Sequence, residues 1–369
     1  MKKELSLYHL TVTAIFIGIL LTCSLFYLIN TVIGRESAVS EQCYDGSVIE
    51  GESIFADFSR SVYQNAATQE QIREYQYRLL GIVSAPEVLA GHEDFLFEVR
   101  DDENRYNYLE DYLGELSFTE EESARILQVL QRRKSTYKER GAEYLLVVLP
   151  NAQTVYSEQM PDYLGDLRET RLKRLESYLF ANGFTDFVNL SDELIAYKDQ
   201  GLLYNNTENS LNALGLYCVY RCVCERFEPT IMAKTRVLER NELNFYYHLT
   251  TGKAVARRAG LADVVSNRTV SLSNNTVLNY HSTFLTGRAS QTVLLPFEHS
   301  SNYSETPRLL LQFSDAWERL QAEPFFSNTF RAVTYQTDLS DDTDVFEKAD
   351  PAVVIQFLYE NELSWLLPQ

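Results

Sequence analysis

Seven residues, "YLLVVLP" from Tyr144 to Pro150, constrain the fold more than any other stretch of the chain. An uninterrupted apolar run of this length forms a stable strand only where both of its faces are covered, which is the situation of a strand inside a parallel sheet. Such a sheet needs helices as crossovers, and the neighbouring sequence supplies them. Before the run, "SFTEEESARILQVLQRRKSTYKERG" reads as a helix: Thr119 can cap it with Glu122 three residues later, Ile126, Leu127, Leu130 and Tyr137 share a face, and Gly141 can end it. After it come a helix around "RLKRLESYLFANG" stopping at Asn182-Gly183, a short strand "TDFVNL", and a short helix "SDELIAYKDQG" that Ser191 can cap. The alternation returns late, with "RLLLQF" as a strand, "SDAWERL" opening a helix, "FRAVTYQ" as a strand and "DPAVVIQFLYENEL" as a helix-like amphipath. Residues 240–305 are rich in Asn, Thr and Ser and read as an insertion of loops and short strands. The expected class is α/β, a parallel sheet flanked by helices.

A second constraint lies at the N-terminus. Residues 11–33, "TVTAIFIGILLTCSLFYLINTVI", hold no charged side chain and at helical rise can cross a hydrocarbon layer of about 30 Å. Lys2 and Lys3 precede this run and Glu36 and Glu41 follow, so the positive-inside tendency leaves residues 1–33 as a cytoplasmic tip and one transmembrane helix. The alternative is a cleaved signal peptide, whose apolar core runs about 7 to 15 residues. The run here is longer, which favours an uncleaved anchor. Residues 34–90 then read as a stalk with a linker helix around "TQEQIREYQYRLL", and 91–369 as the extracytoplasmic domain, opening at "GHEDFLFEV". The expected location is the cell membrane, single-pass, with the C-terminal domain outside.

Charge and cysteines narrow the function classes. A net charge of −19 disfavours a phosphate-tracking surface, so no nucleic-acid partner is expected. Beyond Cys23 in the apolar run, Cys43, Cys218, Cys222 and Cys224 remain, three of them on one helical stretch. They predict neither a disulfide framework nor, with no histidine at ligand spacing, a zinc site. Small apolar fillers of a buried helix are the expected role. With no glycine-rich phosphate loop in the chain, neither cofactor nor metal is predicted.

In an open parallel sheet, ligands bind beyond the carboxyl ends of the strands. Three segments lead there: "PNAQTVYSEQMP", "YNNTENSLNALG" and "QFSDAW". Together with "GHEDFLF", "TGKAVARRAGLAD" and "ADPAVVIQFLYENEL", in this order, they resemble the bacterial DHHW proteins, relatives of the alginate O-acetyltransferases. The resemblance runs from about Gly91 to the C-terminus. It implies an SGNH-hydrolase-like parallel sheet flanked by helices, and an association with O-acetylation of an exported polysaccharide. It also implies as partners the polysaccharide itself and a membrane-bound O-acyltransferase. In the family, a serine after the late strand attacks an acetyl donor, a histidine two residues after an aspartate takes its proton, and amide donors hold the oxyanion.

Carried over residue by residue, the resemblance departs from the family at the reacting groups. Where the family reads Asp-x-His-Trp, alignment on "NALG" gives Glu208, Asn209, Ser210 and Leu211, so the histidine is missing. After the late strand this chain has Ser314-Asp315, which puts Asp315 at the nucleophile's position, and Ala152 stands where a lysine often follows the "LPN" motif. The candidate site positions are therefore Glu208, Ser210, Ser314 and Asp315. Two readings follow: a protein that keeps the fold and acts by binding a glycan or partner, or an active O-acetyltransferase or esterase with a relocated triad. The second needs Ser314 as nucleophile and an imidazole such as His248 or His281 folded over it. Each position also has an ordinary structural reading. Thr207, Glu208 and Ser210 suit the start of a helix, and Ser314 or Asp315 a cap for "AWERL".

Overall fold

In the computed structural model, residues 66–101, 105–227, 237–273, 280–284, 297–301, 306–314, 316–336 and 343–367 are described. The apolar run 11–33 lies outside them, as does Cys43, and among the described residues no helix is long and apolar enough to cross a membrane. Residues 76–369 make one compact unit, and the first described helix is α1 (Ala66–Leu80).

The strands are β1 (Val88–Ala90), β2 (Leu96–Glu98), β3 (Glu143–Leu149), β4 (Phe187–Asn189), β5 (Phe245–Thr250), β6 (Asn267–Leu272), β7 (Tyr280–Phe284), β8 (Phe297–Ser301), β9 (Arg308–Phe313), β10 (Ala332–Gln336) and β11 (Val353–Tyr359). Between them lie α2 (Tyr108–Tyr112), α3 (Glu120–Glu139), α4 (Ala152–Val155), α5 (Arg171–Ala181), α6 (Ser191–Tyr197), α7 (Ala213–Phe227), α8 (Ala254–Arg258), α9 (Ala316–Ser327) and α10 (Thr343–Ala349). The main sheet has seven strands in the order β4-β3-β11-β9-β10-β8-β7. The strands β4, β3, β11, β9 and β10 run parallel. β8 and β7 then extend the sheet antiparallel, so the segment expected as an insertion adds two strands to the main sheet as well as the separate β5–β6 hairpin.

Alternate residues of the central strands feed two cores. Leu145, Val147 and Leu149 of β3, Leu309, Leu311 and Phe313 of β9, and Ile355 and Phe357 of β11 point to one side, where α6, α7 and α9 cover them. Leu146, Val148, Leu310, Val354 and Leu358 point to the other, under α3, α5 and α10. At about 1.5–3 kcal/mol for each fully buried large side chain, this two-sided burial is the main favourable contribution of these strands. The capping box of α3 forms as expected: Thr119 accepts from Glu122 N while Glu122 accepts from Thr119 N.

Other expectations are corrected. Residues 353–359 form β11, not a helix, and this strand sits between β3 and β9 at the centre of the sheet. Its burial on both faces removes the alternation that marks a strand, and apolar residues on every side of the segment imitate helical spacing. α6 is not capped by Ser191. Ser191 is its first residue, the N-cap position is Leu190 without a side-chain cap, and the Asn189 side chain accepts from Ser191 N at 3.0 Å. The start of α7 is held by Asn212, whose Oδ1 accepts from Leu214 N and Gly215 N at 3.0 and 3.1 Å. Thr207 and Ser210 therefore do not cap it. Gly215 is required by contact: a Cβ there would lie 2.3 Å from the Leu203 carbonyl oxygen. Cys218 and Cys224 are buried on α7 and Cys222 is half-buried, all three as free thiols.

Polar side chains also cross the core. Arg133 Nη1 and Tyr144 Oη donate to Gln356 Oε1 at 2.9 and 2.6 Å; Gln356 donates to Gln312 Oε1 at 2.6 Å, and Gln312 to Gln336 Oε1 at 3.0 Å. The three glutamines stand at matching register on β11, β9 and β10. A slip of any one strand would leave buried amides without partners, so the ladder specifies register as well as stability.

Candidate functional site at the carboxyl edge of the sheet

Four segments meet beyond the carboxyl ends of the parallel strands. β3 runs into Pro150–Thr154, β11 into a 3₁₀ helix Glu360–Leu366, and β9 into Ser314. The fourth is the loop 203–212 that leads into α7. The Ala152 N–H donates to Asn209 Oδ1 at 2.9 Å, and the Tyr204 hydroxyl donates to the Pro150 carbonyl at 2.5 Å. The Leu211 N–H reaches the Tyr359 hydroxyl at 3.4 Å. The loop resembling the family motif is thus tied to the ends of both β3 and β11.

The predicted residues divide as follows. Ser314, half-buried, donates its hydroxyl hydrogen to Glu362 Oε2 at 2.6 Å, and the same oxygen accepts from Tyr359 N at 2.8 Å. Ser210 is buried and its oxygen accepts from Asn205 Nδ2 at 3.0 Å. Glu208 accepts from the same Asn205 nitrogen at 3.5 Å. Asp315 lies outside the described residues. Among the described side chains, Ser314 and the motif loop are therefore joined through Tyr359 and Glu362. His92 pairs with Asp162 at 3.1 Å and His248 with Ser271 at 2.9 Å, so neither ring serves Ser314. His281 and His299 occupy β7 and β8.

Beneath this edge is a buried ionisable cluster that sequence reasoning missed. Asn151 N and the Thr154 hydroxyl donate to Glu360 Oε2 at 2.9 and 2.8 Å. The Tyr106 hydroxyl donates to Asp111 Oδ2 and accepts from Asn151 Nδ2 at 3.1 Å. Arg171 gives its backbone N–H to Asp111 Oδ1 at 2.7 Å, and its guanidinium lies 4.8 Å over the Tyr106 ring and 4.6 Å over Phe118. Burial, followed by the Asp111 charge, pushes the Glu360 carboxyl well above the usual range. Burial likewise raises Asp111, against the lowering effect of Tyr106 and Arg171. The one available signal was the acidic "YENE" directly after a strand, and it is legible only once 353–359 is read as a strand.

A chemical inventory of the edge is a serine hydroxyl, several carboxylates and many amides. Among the described residues no group of three or more His, Cys, Asp and Glu side chains could hold a metal ion.

No protein-family model and no curated protein matches the sequence at a significant level. Solved structures do match. A DHHW family protein from Eubacterium siraeum aligns over 67% of this chain and 86% of its own, with 14% identity and a TM-score of 0.50. The chain has the fold of a DHHW family protein. PatB1 of Bacillus cereus aligns over 76% of this chain and 97% of its own, with 12% identity and a TM-score of 0.53. The O-acetyltransferase domain of Pseudomonas putida AlgJ aligns over 75% and 92%, at 11% identity and a TM-score of 0.44. The resemblance expected from short sequence stretches is thus met in the fold, in which parallel strands β4, β3, β11, β9 and β10 are flanked by helices.

Proposed function

We propose that this chain is a DHHW-like protein associated with cell-surface polysaccharide and its O-acetylation, acting by holding a glycan or a partner rather than by transferring an acyl group. Residues 11–33 anchor it in the cell membrane with the folded unit outside. A membrane-bound O-acyltransferase is the partner that fits this placement. The observation that carries the binding reading is the Ser314–Glu362 pair: the hydroxyl hydrogen is given to a carboxylate that is itself held by Tyr359 N. A carboxylate is a weaker base than an imidazole, so this pair generates little alkoxide. Ser210 offers no proton acceptor of the kind the missing histidine would supply.

The 2.6 Å contact also favours one competing reading, a slow esterase with Ser314 as nucleophile and Glu362 as base. The test is turnover of an activated acetyl ester by the full chain, compared with Ser314→Ala and Glu362→Gln. The binding reading expects hydrolysis at the background rate in all three. Turnover lost in both variants would overturn it in favour of the esterase.

A further inference from the structure

We propose that Glu362 sets the hydrogen-bond polarity of Ser314, so that this edge selects uncharged glycans bearing free hydroxyl groups over O-acylated or anionic ones. The inference rests on the glycan-binding reading of the same edge. A serine hydroxyl has one hydrogen and two lone pairs. Here the hydrogen points to Glu362 Oε2 at 2.6 Å, and the Tyr359 N–H at 2.8 Å keeps that carboxylate in place. Ser314 therefore presents only lone pairs to a ligand, and the ligand must bring the hydrogen.

A second observation has the same polarity. Asn151 Oδ1, Gln153 Oε1 and Asn205 Oδ1 are buried acceptors on the segments that build the edge, and none has a donor among the described residues. Arg171 Nε, an unpartnered donor, lies off those segments on α5. This surplus of acceptors makes the local potential negative and favours groups that arrive with hydrogens. An acyl ester replaces the ligand's O–H with a carbonyl and sets lone pairs against lone pairs. A carboxylate sugar meets Glu362 directly.

The test uses the full chain in mild detergent and neutral hexamers of glucose, mannose, xylose and N-acetylglucosamine, each free and O-acetylated, with an oligogalacturonate as the anionic arm. Calorimetry should find a free hexamer bound about tenfold tighter than its O-acetylated form, the scale of one hydrogen bond to a charge-assisted acceptor. In Glu362→Leu no oxygen remains to take the hydrogen, Ser314 can turn it toward the ligand, and the preference should shrink to about twofold. Ser314→Ala leaves the Glu362–Tyr359 contact intact and should lose the preference too, which covers the case of a Leu variant that fails to fold. A preference for acetylated or anionic hexamers, or one unchanged in both variants, overturns the inference and leaves glycan binding standing. No binding across the whole panel overturns the glycan reading, and the inference with it.

Discussion

Replacing Arg171 with methionine should damage the protein in a manner that depends on pH. The substitution keeps the length and apolar stem of the side chain and the backbone N–H to Asp111, but removes the cation that faces Tyr106 and Phe118 and offsets the buried Asp111 carboxyl. Two cation–π contacts at about 1 kcal/mol each are lost at any pH. Leaving buried carboxylates without a cation costs about 3–5 kcal/mol when they are charged. Glu360 and Asp111 both have folded pKa values raised above their ordinary ones, chiefly by burial. Their contribution is complete when both states are protonated, below the usual carboxylate range, and is lost as pH rises through the raised folded values. The variant should therefore lose about 2 kcal/mol at pH 4.5 and about 5 kcal/mol at pH 8, the difference being the uncompensated charge. Urea unfolding followed by circular dichroism at the two pH values measures it. Combining the change with Asp111→Asn should flatten the pH dependence. Equal losses at both pH values, or no flattening in the double variant, would refute the account of this cluster.

Three further outcomes are expected. Gln312→Leu breaks the amide ladder in its middle and strands Gln356 Nε2, so unfolding measurements should give a loss of about 1–3 kcal/mol. Gly215→Ala drives a Cβ against the Leu203 carbonyl and should destabilise by about 1–3 kcal/mol despite alanine's better helix propensity, a reversal of the usual sign that thermal melts would detect. The thiols of Cys218, Cys222 and Cys224 should resist a thiol-reactive probe at pH 8 in the folded protein and react in urea, because burial pushes all of them up, Cys218 to about 12.

By itself, the sequence settled what local chemistry can settle. The capping box of α3 uses neighbours three residues apart, and "YLLVVLP" admits only a strand covered on both faces. Short stretches in a consistent order were enough to indicate the DHHW fold. The place of 353–359 was decided by tertiary structure, because two-sided burial erases the periodicity that separates strand from helix. The site was decided there too. Ser314 and Glu362 are 48 residues apart, and Arg171 and Asp111 are 60. Which acceptor takes a hydroxyl hydrogen, and which cation faces a buried carboxylate, depends on how strand ends are brought side by side, and no spacing along the chain encodes that.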